Sequence, residues 1–457
     1  MILRSPSFTT AALVLLLWSL PATAEAPSLA DGAPEEVMLP PVITTDEGSA
    51  TDELPHPVSV QEEEPLEGVR GANDPRLKHD ILSVGGFYFQ RAELSGLQGP
   101  QETNFQPRIP SLVDVVLDVK PSEDFRSLVR GRLLFDPLDA RLSTPQILLD
   151  QFWLQFSVAQ RVFITAGRQQ LLWGSSRIWN PTDFLRRPNP RPLEAFDERL
   201  GIDMLKVNIP WEEMASNLWV IATVDLNGPA ERPLTYGGAV RAEVTLGISE
   251  LSATAVFKQG RRPRYGLDWS VGAGPFDFNA ELALVRDNDL TLWGERTGTG
   301  FAPRRLDGPT LLASSGVTGT FRVADLYRTV FRLEGLYNQL GYEDRAVLTW
   351  LHKTKTYRPL YFGRYYGMAQ LAVTQRSRNE PTLTLTGLMN VSDRSVLSRL
   401  DYTTYVQRDI ILQCYLEKTF GERGSEFLFE PDPTVADDLP TPERGLFRAG
   451  LSIRFKI

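Results

Sequence analysis

The chain has 457 residues, 42% of them hydrophobic and 23% charged, with a formal net charge of −9 at pH 7. Cys414 is the single cysteine, which excludes internal disulfides, and no Cys/His cluster supplies the donors of a zinc site. After the N-terminal region no stretch approaches the ~18 consecutive apolar residues of a membrane-spanning helix.

Residues 1–24 read as a secretory signal. Arg4 gives the positive start, residues 11–20 form an apolar run too short to span a bilayer, and Ala22-Thr23-Ala24 fits the small-x-small cleavage pattern. Residues 25–69 hold 12 acidic residues, no Lys or Arg, and prolines at 27, 34, 40, 41, 55, 57 and 65. One-sign charge with low hydrophobicity predicts a disordered periplasmic tail over residues 25–79. It would serve either as a solvating spacer or as an arm for a periplasmic partner. Without the signal and the acids, residues 70–457 carry about +2, so the acidic pI of 5.2 describes the tail and not the body.

From residue 80 onward segments of about ten residues alternate apolar and polar, with turns between them. Val113, Val115, Leu117 and Val119 alternate with Asp114, Asp118 and Lys120. Val129, Leu133 and Phe135 oppose Arg126, Arg130 and Arg132. Val240, Ala242 and Val244 oppose Arg241 and Glu243; Phe276, Phe278, Leu282 and Leu284 oppose Asp277 and Glu281. Phe331, Leu333 and Tyr337 oppose Arg332 and Glu334, and a strand over 359–374 sets Tyr361 and Tyr365 against Arg364 and Tyr366. The last segment, 445–457, places Phe447, Leu451, Ile453, Phe455 and Ile457 on one face, an ending that resembles the assembly signal of outer-membrane barrels.

Eighteen such segments are counted, and sixteen is the alternative. An even barrel with both termini periplasmic should alternate long outer loops with short inner turns. The connections assigned inward are six residues or fewer, while 171–200, 287–311, 340–358 and 421–444 are long and 391–395 is short. The expected fold is therefore all-β: a transmembrane antiparallel barrel over residues 80–457, with a water-filled or loop-constricted lumen. A soluble β-sandwich would need a second sheet to bury the apolar faces, and no matching inward pattern is present. Trp211, Tyr265, Tyr361, Tyr402 and Phe420 suit interface girdles.

Residues 161–200 begin as a strand, with Val162, Ile164 and Ala166 in one phase, and end as a Pro-rich loop. That loop carries Trp173, Trp179, Phe184 and Phe196 together with Arg177, Arg186, Arg187, Arg191, Arg199 and Asp183. Four large aromatics need a surface to pack against, so the loop is expected to fold inward and narrow the pore. Arg168 falls in the apolar phase. An arginine at mid-bilayer costs about 2–4 kcal/mol, so it should sit at the rim, or a bulge at Gly167 should turn it into the lumen, with Asp183 as partner.

Gly167-Arg168-Gln169, Trp173-Gly174 and Asn180-Pro181-Thr182-Asp183 resemble the G-R-Q…W-G…N-P-x-D pattern of a porin-like family of Gram-negative outer-membrane barrels. The strand count and Arg-rich polar faces are distantly similar to alginate-export barrels. The resemblance implies a bacterial outer-membrane location and a channel-like role, and it carries over no catalytic residue. Arg130, Arg132, Arg241, Arg332 and Arg364 on the strands, with the loop arginines, predict a modest anion preference, discounted by Asp114, Asp118, Glu243, Asp277, Glu281 and Glu334.

Passage of a small polar solute is thus the leading expectation, with polysaccharide export or surface attachment as the alternative. A hydrolase would have to use His352 or His79, and neither comes with a recognisable nucleophile. The acidic loop residues Glu430 and Asp432 lack the spacing of a calcium loop. The expected partners are the lipid bilayer and, through the C-terminal strand, the barrel-assembly machinery. No cofactor, metal or nucleic acid is expected.

Overall fold

The computed structural model describes residues 81–98, 103–139, 142–187, 199–225, 234–286, 291–298, 300–304, 308–432, 434–435 and 444–457. The signal, the acidic tail and Arg191 lie outside the described residues.

Twenty-one strands are described. In chain order they are β1 (Leu82–Gln98), β2 (Thr103–Arg108), β3 (Ser111–Ser122), β4 (Phe125–Phe135), β5 (Gln146–Val158), β6 (Val162–Gln169), β7 (Ile202–Trp211), β8 (Ser216–Asp225), β9 (Thr235–Leu246), β10 (Ser249–Lys258) and β11 (Arg264–Ala273). Then come β12 (Phe276–Val285), β13 (Leu292–Thr297), β14 (Gly300–Arg304), β15 (Thr310–Val323), β16 (Tyr327–Asn338), β17 (Tyr365–Gln375), β18 (Thr382–Asn390), β19 (Ser395–Gln407), β20 (Ile410–Phe420) and β21 (Arg444–Lys456). One α-helix, α1 (Ala346–Lys353), lies between β16 and β17.

Nineteen strands form one antiparallel sheet, and β1 pairs with β21 from Phe87↔Lys456 to Gln98↔Arg444, which closes it. Strands β2 and β3 face successive parts of β1, so they are one stave broken at Ile109–Pro110. Pro110 has no N–H for the ladder, and the Ile109 N–H donates to the Asp136 side chain instead. The closed barrel therefore has eighteen staves. Closure leaves no unpaired edge, the condition for a sheet in hydrocarbon.

Alternation decides what faces what. Large apolar side chains such as Phe152, Leu205, Leu251, Leu267, Leu282, Leu333, Leu385 and Leu416 are exposed on the outside. Asp114, Arg130, Arg241, Glu281, Glu334 and Glu417, in the other phase, are buried inside. A soluble protein does not expose an apolar belt of this extent; lipid covers it. No helix among the described residues is long and apolar enough to cross a membrane.

Trp211, Tyr265 and Phe420 are exposed at strand ends, as the girdle expectation requires; Tyr402 is exposed but lies within β19, and the expectation fails for Tyr361. β17 starts at Tyr365, not at 359, and Tyr361 packs inward against the lumenal clusters. The short inner turns are found as expected; outside, the 259–263 connection is short as well as 391–394. Two elements were not anticipated in the outer loops: the β13–β14 hairpin, a separate two-stranded sheet, and α1.

Cys414 is exposed in the outward phase of β20. In a lipid bilayer it should react with a membrane-soluble maleimide and resist a charged, impermeant one; rapid labelling by the charged reagent in intact membranes would contradict the outward, lipid-covered placement.

Candidate functional site

The connection from β6 to β7 leaves the rim and turns into the barrel. Its first anchor is apolar: Leu171 and Trp173 pack on Met204, Ile221, Ala239 and Val256 from β7 to β10, and the Arg241 guanidinium lies 5.6 Å from the Trp173 ring centroid. Gly174 then adopts φ +99°, and a Cβ there would lie 2.6 Å from Asn180 Oδ1 and from Glu281 Oε1, so this position requires glycine.

The second anchor is a pair of carboxylates in the strands. Glu281 accepts the Ser176 N–H at 2.8 Å and the Thr182 N–H at 3.3 Å, and Thr182 Oγ1 lies 2.7 Å from it. Glu334 accepts three successive backbone N–H groups: Arg177 at 2.8 Å, Ile178 at 3.0 Å and Trp179 at 2.7 Å. Successive N–H groups converging on one oxygen pair form an anion cradle, and here the anion is the protein's own. Asn279 Nδ2 also donates to Ser175 O at 3.1 Å.

The third anchor is Trp179. It is fully buried among Leu336, Tyr366, Met368, Leu388, Leu397 and Phe427, on the wall opposite the loop's root, and its Nε1 donates to Leu360 O at 3.2 Å. The Asn180-Pro181-Thr182-Asp183 turn then reverses the chain, with the Asp183 N–H on Asn180 O at 3.1 Å and Pro181 pre-setting the first turn angle. Asp183 pairs with Arg199, which ties the outgoing and returning strands of the loop together. Trp173 Nε1, Asn180 Oδ1, Asp183 Oδ1 and Gln169 Nε2 are buried with no hydrogen-bond partner among the described residues.

A second group of outer loops covers the mouth. Phe301 of β14, Val347, Leu348 and Leu351 of α1, and Phe362, Phe429 and Val435 form a separate apolar cluster. Glu426 fastens it to the barrel. Its carboxylate accepts from Tyr366 OH at 2.6 Å, Leu360 N–H at 2.9 Å, Asn390 Nδ2 at 2.9 Å and Tyr357 OH at 3.1 Å. Burial, with Asp393 nearby, pushes Glu426 up to about 7 despite these bonds. His352 stacks on Tyr357 and Phe429, with ring centroids 4.4 Å and 4.1 Å away, and burial pushes it down to about 4. It is part of the lid packing.

The arginines separate into three groups. Arg168 stays in the outward phase at the rim and pairs with Asp203 across the strand at 2.9 Å. Its expected partner, Asp183, is with Arg199 instead, and Gly167 makes no bulge. Gly167 adopts φ +125°, and a Cβ there would lie 2.2 Å from Phe152 O, so this position too requires glycine. Arg364 is also a correction: it precedes β17 and pairs with Glu343 in the outer loop at 2.8 Å, and so does not line mid-pore.

Within the lumen, Arg130 and Arg132 share Asp114, Arg132 also reaches Asp150, and Arg241 holds Glu243 and Asp268. Arg332 donates to Gln370 at 2.8 Å. On the docked loop, Arg177 is exposed, and Arg186 and Arg187 are half-buried.

Two features were not read from the sequence. The anchoring role of Glu281 and Glu334 is one. The other is a second inward cluster in which Arg91 pairs with Glu93, Arg399 with Asp401 and Glu417, and Arg448 with Glu417, around the Tyr415 ring. The sequence signal was the opposed charges in alternating phase, which does not say which partners meet.

No protein-family model and no curated protein sequence matches the chain. Among solved structures, OccAB1 of Acinetobacter baumannii is similar at 11% identity, covering 82% of this chain and 97% of that one, with a TM-score of 0.49. Wzi, an Escherichia coli outer membrane protein involved in group 1 capsule assembly and a carbohydrate-binding β-barrel, is similar at 10% identity, covering 84% and 86%, with a TM-score of 0.48. Salmonella typhi OmpF in complex with daunomycin is similar at 9% identity, covering 82% and 97%, with a TM-score of 0.41. These neighbours are outer-membrane porins and barrels, and at such identities the likeness extends to nothing finer.

Proposed function

We propose that the chain is a bacterial outer-membrane channel that passes small polar solutes through a bore set by the β6–β7 loop. The observation that carries the reading is the anchoring of that loop across a polar lumen by Glu281, Glu334 and Trp179. An eighteen-stave barrel is wide enough for an aqueous path, and an inward loop restricts it. The G-R-Q…W-G…N-P-x-D pattern supports this reading, because Trp173, Gly174 and the Asn180–Asp183 turn are the residues that dock the loop. The distant likeness to alginate-export barrels remains a sequence resemblance. In this reading the turn end faces the periplasm, and β21 is the element offered to the assembly machinery.

Selectivity should be weak. Arg130, Arg132 and Arg241 are matched by carboxylates, so they contribute little net field. On the loop, Arg177 is exposed and Arg186 and Arg187 are half-buried; Arg177 lies near Glu334 and Arg186 near Asp183, so the loop adds only a modest anion preference. In planar bilayers under a salt gradient the reversal potential should lie slightly on the anion side and move to the cation side in an R177E/R186E variant. An unchanged potential in that variant would remove the loop arginines from the path. Absence of any current, together with loss of surface polysaccharide in a deletion strain, would favour polysaccharide attachment instead.

A further inference from the structure

The wall that receives the loop brings two acids together. Asp268 of β11 and Glu281 of β12 stand directly opposite each other in their ladder and are 3% and 0% exposed. Like charges in that position destabilise a sheet. The docked loop places one hydroxyl between them: Thr182 Oγ1 lies 2.5 Å from Asp268 Oδ1 and 2.7 Å from Glu281 Oε2. Both are hydrogen-bond distances. A hydroxyl has one proton to donate, and a carboxylate has none. The two contacts therefore need a second proton, carried by one of the acids.

The neighbours decide which acid carries it. Asp268 Oδ2 accepts from the Arg241 guanidinium at 2.6 Å, so Asp268 is the member with a cation to balance it. Among the described residues the partners of Glu281 are the Ser176 N–H, the Thr182 N–H and the Thr182 hydroxyl, all neutral. Arg241 of β9 also holds Glu243, and Glu250 of β10 faces the same group. On the loop, Asp183 is paired with Arg199 and faces Arg186 and Arg241. β15 presents the neutral Ser314 opposite Glu281, Glu334 of β16 is covered by its three N–H groups, and Tyr361 approaches from the outer loop.

We propose that the docked loop is held by a proton on Glu281, passed on through the Thr182 hydroxyl to Asp268, and that loss of this proton releases the loop. Glu281 Oε2–H donates to Thr182 Oγ1, and Thr182 Oγ1–H donates to Asp268 Oδ1. Giving the proton up to water leaves two carboxylates facing one hydroxyl with a single hydrogen, so one contact becomes a repulsion between lone pairs. In the released state both acids face water as carboxylates. The docked state thus holds one proton more than the released state. Docking is complete at low pH and weakens as pH rises, by up to about tenfold per pH unit for one proton. The effect on current rests on the channel reading; the shared proton does not.

The test uses the full chain in detergent from about pH 5 to about pH 9, a span that includes the titration of buried carboxyl groups. Infrared difference spectra should show the C=O stretch of a protonated carboxyl that fades as pH rises and is missing from E281Q. Cleavage after the exposed Arg177 should increase on the order of tenfold or more over that span relative to E281Q. Glutamine keeps an acceptor for the Ser176 N–H and donates to Thr182 without titrating. If E281Q does not assemble, T182V tests the same proton: without the hydroxyl that receives it, the band should shift. A carboxyl band that is identical in wild type and both variants, or cleavage with the same pH dependence in wild type and E281Q, overturns the proposal. In bilayers, wild-type current should rise with pH and that of E281Q should not. If neither conducts, the channel reading fails while the infrared band still decides the proton.

Discussion

Deleting residues 176–198 should raise the single-channel conductance, on the order of threefold or more, because an eighteen-stave bore without its cross-piece is wide enough for an open aqueous path. The deletion removes Trp179 and the Asn180–Asp183 turn but leaves every strand, including the Arg168–Asp203 pair at the loop's root, in place. Barrel closure through β1 and β21 is on the same staves as before, so the variant should still assemble. The deletion uncovers the apolar seat of Trp179 and returns Glu281 and Glu334 to water, and the current should become more cation-preferring because two carboxylates lose their N–H partners. A folded barrel with unchanged conductance would mean that the path runs elsewhere and the docked loop restricts nothing.

The barrel was legible from the sequence because each stave reports independently. A residue that faces lipid must be apolar whatever its neighbours are, so Leu282, Leu333 and Leu416 disclose their phase locally. The lumen obeys no such rule. Glu334 in the polar phase was compatible with a guanidinium partner, with water or with backbone N–H groups, and only a contact with residues some 155 positions away decides among them. Arg168 illustrates the same point. Its phase correctly placed it at the rim, yet its partner is Asp203 on the adjoining strand and not the loop's Asp183. The outer lid was hidden for another reason. α1 has only eight residues, and it is held by contacts from β14 and the last outer loop, which no local periodicity records. Tyr361 was read into a strand because aromatics alternate with polar residues on both sides of Tyr365; the chain enters β17 only after the Arg364–Glu343 pair at the rim.

The inward loop was expected from its aromatics, and Trp173 and Trp179 are indeed the two bodies that leave water. Yet packing alone does not fix which backbone atoms face the wall. The carboxylates do that. Replacing Glu334 by Ala leaves the buried N–H groups of Ile178 and Trp179, and the part-buried one of Arg177, without their acceptor. An unsatisfied buried donor costs about 1–3 kcal/mol, so the docked state should lose on the order of 3–6 kcal/mol relative to a released loop. A change of that size shifts a two-state population by at least a hundredfold. Glu334→Ala should therefore show frequent or permanent openings at the conductance of the loop deletion, and protease should cut after the exposed Arg177. Glu334→Gln keeps one acceptor oxygen and should lie between the wild type and the alanine variant. Glu281→Ala should act in the same direction, because Ser176 and Thr182 lose their common acceptor. If Glu334→Ala folds, conducts as the wild type does and resists cleavage, then the apolar seat of Trp179 holds the loop unaided and the carboxylate cradle is dispensable.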